Sequence, residues 1–246
     1  MPYYVVRELE LLKSFKRNKP SVGISTLKIF ILICLKSERD DEGGYSASLT
    51  YDQITQYCSL SRRLTSEGLR YLELHNIIEV YGDRKKRYIL KNCRKEDKNL
   101  VTCRFHSKQG YWCKIPFGSF IDEGGRISAF EAMNNRNVVE LNALKLYLYV
   151  MMVRSGGKAY TAVTIRTMKA KLGISYQEII VAISFLNSVG LMDKVNYGSN
   201  AIGNYDERFA MKFLVSGWEC LEWKPTYMSN DKDDEFWKNS LLEDFF

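Results

Sequence analysis

Histidine is nearly missing from this chain: His75 and His106 are the only two among 246 residues. Paired-histidine metal sites and Ser-His-Asp or Cys-His relays therefore have no local support. His75 also falls in the last turn of an expected helix, where the helix dipole favours a cation. A nicking tyrosine would ordinarily come with a paired-histidine metal site, which the chain lacks. Phosphate-binding glycine loops are missing too, since Gly23, Gly43-Gly44, Gly124-Gly125 and Gly156-Gly157 have no flanking lysine, serine or glycine in the required pattern. Carboxylates are scattered, with Asp40-Asp41-Glu42 in a loop. Cys93, Cys103, His106 and Cys113 have gaps that match no common zinc module. The expectation is a protein that is not an enzyme and takes neither cofactor nor metal. There is no cation-then-apolar leader, and the longest apolar run, Ile29 to Leu35, is far too short to span a bilayer. These absences predict a cytoplasmic protein with no membrane partner and with its six cysteines reduced.

What is present is a basic chain with ample apolar material. Hydrophobic residues make up 46% of the sequence and the formal charge is +7. The segment Asp231 to Phe246 holds six acids against two lysines, so its −4 leaves +11 on residues 1–230. An excess of that size favours a polyanion such as nucleic acid.

The stretch Thr50 to Leu90 carries the sharpest pattern. Thr50 and Gln53 have capping-box spacing, and Ile54, Tyr57 and Cys58 keep one apolar face through the short helix Tyr51 to Tyr57. Ser59-Leu60-Ser61 makes a turn, and Ser61 is a good N-cap for a second helix, Arg62 to His75. That helix should bury Leu64, Leu69 and Leu72, leaving Arg62, Arg63, Thr65, Ser66 and Arg70 on an outer face able to reach base edges. Asn76 can take the left-handed conformation that stops a helix. Ile77 to Tyr81 then reads as a strand, Gly82-Asp83 as a turn and Tyr88 to Leu90 as a second strand. Arg84, Lys85, Lys86 and Arg87 are expected at the hairpin tip, where they suit phosphate. Ser25 to Lys36 is a strongly apolar helix and Tyr45 to Leu49 a short strand.

The pattern recurs 114 residues later without a gap. Thr50, Ile54, Cys58, Ser59, Leu60 and Ser61 fall on Thr164, Met168, Leu172, Gly173, Ile174 and Ser175. Leu69, Tyr71, Leu72, Asn76 and Ile77 fall on Ile183, Phe185, Leu186, Gly190 and Leu191, and upstream Leu27 to Leu35 falls on Leu141 to Tyr149. Ser175 and Glu178 repeat the capping box. The expected fold is α+β, mainly helical, with two tandem winged-helix (helix-turn-helix) domains. The expected division is an N-terminal arm (1–20), domain 1 (21–92), a linker (93–110), domain 2 (111–216) with a strand and short helix at its start, and an aromatic, acidic tail (217–246).

The copies differ in charge. Tyr176 to Val189, the equivalent of the reading helix, has no lysine or arginine and is apolar nearly all round. DNA reading is therefore assigned to the first copy, with Arg166, Lys169 and Lys171 as a secondary DNA contact. Domain 2 suits homodimerisation or internal packing. The tail, with Trp218, Trp223, Phe236, Trp237, Leu241, Leu242, Phe245 and Phe246, suits a protein partner, a fold-back onto a basic face or a final core helix.

Two winged helices in tandem, the first with a basic wing, resemble the replication initiators of plasmids and related mobile elements. Trp112-Cys-Lys-Ile-Pro-Phe-Gly-Ser-Phe-Ile-Asp followed by Asn142-Ala-Leu-Lys-Leu-Tyr-Leu-Tyr is similar to the way such proteins enter a winged domain. The resemblance covers residues 21 to about 215. It implies a sequence-specific double-stranded DNA binder that docks recognition helices on repeated origin sites, without catalysis of its own. The cation-free second helix departs from the pattern in which both copies read bases. A dimeric winged-helix transcription regulator and a protein-interaction scaffold are the alternatives.

Overall fold

The structure, a computed structural model, describes residues 15, 19–39, 44–91, 115–116, 120–122, 126–154, 160–196 and 210–217. In chain order the elements are α1 (Pro20–Lys36), β1 (Glu38–Arg39), β2 (Tyr45–Thr50), α2 (Tyr51–Cys58), α3 (Arg62–Leu74), β3 (Ile78–Tyr81), β4 (Lys85–Leu90), α4 (Ser128–Glu131), α5 (Val138–Val153), β5 (Thr161–Thr164), α6 (Ile165–Leu172), α7 (Tyr176–Ser188), β6 (Met192–Asn196) and β7 (Ala210–Val215). The chain is α+β, with small antiparallel sheets ordered β1-β2-β4-β3 and β5-β7-β6.

The local signals produce the elements they encode. Thr50 Oγ1 accepts from Gln53 N at 3.2 Å while Gln53 Oε1 accepts from Thr50 N at 2.8 Å, which closes the capping box of α2. Ser175 and Glu178 do the same for α7, and Ser61 and Thr164 cap α3 and α6. The turns between paired helices pass through left-handed residues, Ser59 (φ 49°) and Gly173 (φ 67°), and α3 and α7 stop before Asn76 (φ 54°) and Gly190 (φ 72°). From α2 and α6 through α3 and α7 the helix bounds lie 114 residues apart. The same offset holds at the ends of β2 and β5 (Thr50 and Thr164) and the starts of β3 and β6 (Ile78 and Met192), but it is lost outside them: the ends of α1 and α5 are 117 apart and the starts of β4 and β7 are 125 apart. Connections absorb the difference, because an extra loop residue costs little closure entropy.

α1 is buried from Gly23 to Ile33 and α5 from Glu140 to Met152. Helices enclosed on all sides belong at the centre of a fold, and these two pack on each other. Gly23 permits the approach, since a Cβ there would lie 2.8 Å from both Leu141 Cδ1 and the Phe15 ring. Phe15, in the segment expected to be an arm, is itself buried, with its ring centroid 5.0 Å from that of Tyr71. One cluster of buried side chains runs through both copies.

The short helix expected to open the second domain packs on the first copy. Lys28 Nζ, on α1, donates to Phe130 O on α4 at 2.8 Å and to Cys58 O at 3.3 Å. Phe120, ahead of α4, meets both Phe130 and Tyr147 of α5 at 5.8 Å between centroids. The region before α5 is thus a wedge between the two copies. The linker 93–110 lies outside the described residues.

Candidate nucleic-acid interface

α3 is amphipathic along its length. Thr65, Gly68, Leu69 and Leu72 face the core, and a Cβ on Gly68 would meet Ile29 Cδ1 at 2.8 Å, so α3 lies close against α1. Arg62, Arg63, Ser66 and Arg70 are exposed on the opposite arc. Arg62 Nη2 is 2.7 Å from Asp52 Oδ1, and Arg63 Nε is 2.9 Å from Glu67 Oε1. The hydrogen bond to Glu67 pushes the pKa of Arg63 further up, so its charge is permanent. Among the described residues Arg70 has no ion-pair partner. Solvent-exposed pairs of this kind are worth little and open readily to a competing anion.

Thr65 does not belong to that arc. It is fully buried, its hydroxyl donating to Ser61 O at 3.1 Å and lying 3.3 Å from Thr55 Oγ1. Three residues from Gly68 and four from Leu69, it shares the packed side of the helix, and this corrects its assignment as a base reader. Leu64 is half-buried rather than fully buried.

The hairpin also differs from expectation. β4 begins at Lys85, so of the four cations only Arg84 lies in the turn. Lys85, Lys86 and Arg87 pair with Thr50, Leu49 and Ser48 of β2. Strand alternation then separates them: Lys85 and Arg87 are exposed on one face, while Lys86 is half-buried on the face that carries Tyr88 and Leu90. Arg87 Nε donates to Ser46 Oγ at 3.0 Å. The cluster of four at the tip becomes a line of three exposed cations running from the turn down one strand. Sequence pattern could not place the strand start, because a lysine is tolerated in a strand flanked on both sides.

In the second copy, Arg166 and Lys171 are exposed and Lys169 is half-buried. α7 buries Ile179, Ala182, Ile183 and Leu186 and leaves Val181 48% exposed. Lys212, on β7, sits 5.0 Å from the centroid of the Tyr160 ring.

Sequence reasoning missed a cleft of about 810 Å³ between the starts of α1 and α3 and the loop before α5. Lys19, Arg63 and Arg136 line it. The loop holding Arg136 is fixed from beneath by Glu140, whose buried carboxylate accepts from Asn134 N at 2.6 Å, Arg136 N at 3.1 Å and Asn137 N at 3.3 Å. It is fixed from the side by Asn135, left-handed at φ 62°, whose Nδ2 donates to Ser59 O at 3.0 Å. The Asn137-x-x-Glu140 capping spacing was legible in the sequence. Its proximity to the α2–α3 turn was not.

Among the described residues no group of three or more His, Cys, Asp or Glu could hold a metal ion, and no helix is long and apolar enough to cross a membrane. Cys93, Cys103, His106 and Cys113 lie outside the described residues, as does the acidic, aromatic tail beyond Gly217. No family model, curated protein or solved structure matches the chain.

Proposed function

We propose that each copy is a winged helix and that the chain is a sequence-specific binder of double-stranded DNA, reading it through the first copy. The observation that carries the reading is α3 itself. Arg62, Arg63, Ser66 and Arg70 share an exposed arc of a helix packed tightly on α1 and set by a left-handed turn, and Arg84, Lys85 and Arg87 are exposed on the hairpin that follows. In this reading α3 enters the major groove, where arginine can bond guanine in bidentate fashion, and the hairpin cations hold phosphate. Two such units in tandem suit an initiator that binds origin repeats of a plasmid or mobile element, with no reaction of its own.

A second reading has one observation in its favour. α7 offers Val181 with half-buried Ile180 and Phe185 and no cation, a face suited to a homodimer of a transcription regulator. Selection of fragments from a random duplex pool at about 150 mM salt, where non-specific phosphate binding is weakened, separates the two. Direct repeats support the initiator and an inverted repeat the regulator. A pool with no enriched motif overturns sequence-specific binding and leaves an interaction scaffold.

A further inference from the structure

Three cations converge on the cleft between the two copies, and among the described residues only Arg63 of these has a paired carboxylate. Lys19 is the N-cap of α1, Arg63 lies in the first turn of α3, and Arg136 immediately precedes Asn137, the N-cap of α5. Each therefore sits at the positive end of a helix dipole, the end that disfavours a cation. Lys19 makes no side-chain cap, and the first turns of α1 and α3 contain no acid. Glu67 also lines the cleft, but its carboxylate is engaged by Arg63 at 2.9 Å. Glu140 lies below, buried and occupied by three backbone N–H groups. Lys19 and Arg136 are exposed and have no ion-pair partner among the described residues.

The backbone under these cations is held in place. A solvated surface arginine needs no fixed backbone, whereas the loop of Arg136 is gripped by Glu140 and tied to the turn before α3 by Asn135. Arg63 belongs both to the cleft and, with Arg70 two turns on, to the exposed arc of α3. The cleft therefore opens at the edge of the surface assigned to DNA.

Resting on the DNA-binding reading, we propose that this cleft receives a backbone phosphodiester of the strand flanking the groove entered by α3, with Lys19 and Arg136 as its phosphate contacts. The second copy's leading loop would then position DNA for the first copy's reading helix, although α7 carries no cation.

The test uses the full chain carrying Lys19→Ala and Arg136→Ala, titrated with a duplex selected by the wild type over a salt series. Both side chains are exposed, and a thermal midpoint at or above that of the wild type verifies folding. The expected result is about a tenfold weaker Kd, a salt slope shallower by about 1 to 2, and an unaltered ranking of duplex sequences. Wild-type affinity and slope in the double variant, together with lost discrimination in Arg70→Ala, would overturn the cleft contact and leave the DNA reading standing. A wild-type chain that binds no duplex overturns both. Inorganic phosphate serves as the second probe: if it raises the thermal midpoint of wild type but not of the double variant, while duplex affinity is the same in both, the occupant is a free anion and the strand contact is wrong.

Discussion

Thr65 and Arg70 lie five residues apart on α3 and have opposite tasks. Thr65→Val keeps the shape of the side chain and removes both hydroxyl contacts, so it should cost about 1 kcal/mol, seen as a lower urea midpoint, with no change in duplex preference. Arg70→Ala should leave stability within about 0.5 kcal/mol and relax the sequence preference. Loss of preference in the valine variant would return Thr65 to the reading surface. Lys28 and Cys58, in contact across the core, give a pH dependence of two signs. Burial lowers the Lys28 pKa from its ordinary 10.5 to about 8, so between those values the unfolded chain binds the extra proton and stability rises with pH. Burial raises the Cys58 thiol from 9.0 to about 12, so above pH 9 the folded chain keeps a proton that the unfolded chain loses, and stability falls. Urea titrations should show a gain between about pH 8 and 9, a plateau to about 10.5 where the two opposite slopes cancel, and a decline above that. Lys28→Met should abolish the gain and Cys58→Ala should soften the decline.

At the scale of elements, close approach outweighs propensity. Replacing a helical glycine by alanine normally helps by about 1 kcal/mol. In α3 the new methyl of Gly68→Ala would meet Ile29 Cδ1 at 2.8 Å and the Ser25 backbone carbonyl carbon at 3.1 Å, so α3 must move from α1. A net loss of about 1–3 kcal/mol is expected, and, on the proposed reading in which α3 contacts DNA, weaker duplex binding with it. A higher melting temperature in that variant would show that the α1–α3 seam yields to an added methyl. The turn before α3 offers the reverse case. Ser59 occupies a left-handed conformation where the second copy has Gly173, so Ser59→Gly should stabilise by up to about 1 kcal/mol in thermal melts.

For the whole molecule, the packing of α1 on α5 joins the copies into one buried cluster, and the expected calorimetric behaviour is a single cooperative transition. Gly23→Val, at the point where α1, α5 and Phe15 meet, should lower that one transition as a unit. Two transitions, only one of them shifted, would mean that the copies fold independently. On the DNA-binding reading proposed above, such coupling would set the distance and angle between the α2–α3 and α6–α7 pairs before any duplex is bound.

The sequence alone determined the elements and their ends: Thr50 with Gln53, Ser175 with Glu178, and Asn76 and Gly190 as helix stops act over three or four residues, so spacing reveals them. The same local chemistry made the repeat visible between Thr50 and Ile77. Periodicity failed at Thr65, whose polarity suggested an outer face while helical geometry turned it inward, and at Lys85 to Arg87, whose charge hid a strand. Only the tertiary structure decided that the wedge before α5 packs on the first copy, that Lys28 and Asn135 tie that wedge to the α2–α3 turn, and that Lys19 and Arg136 share a cleft with Arg63. The hydrogen bond from Lys28 to Phe130 alone joins residues 102 positions apart, and no local spacing encodes such contacts, because they depend on how two buried helices cross.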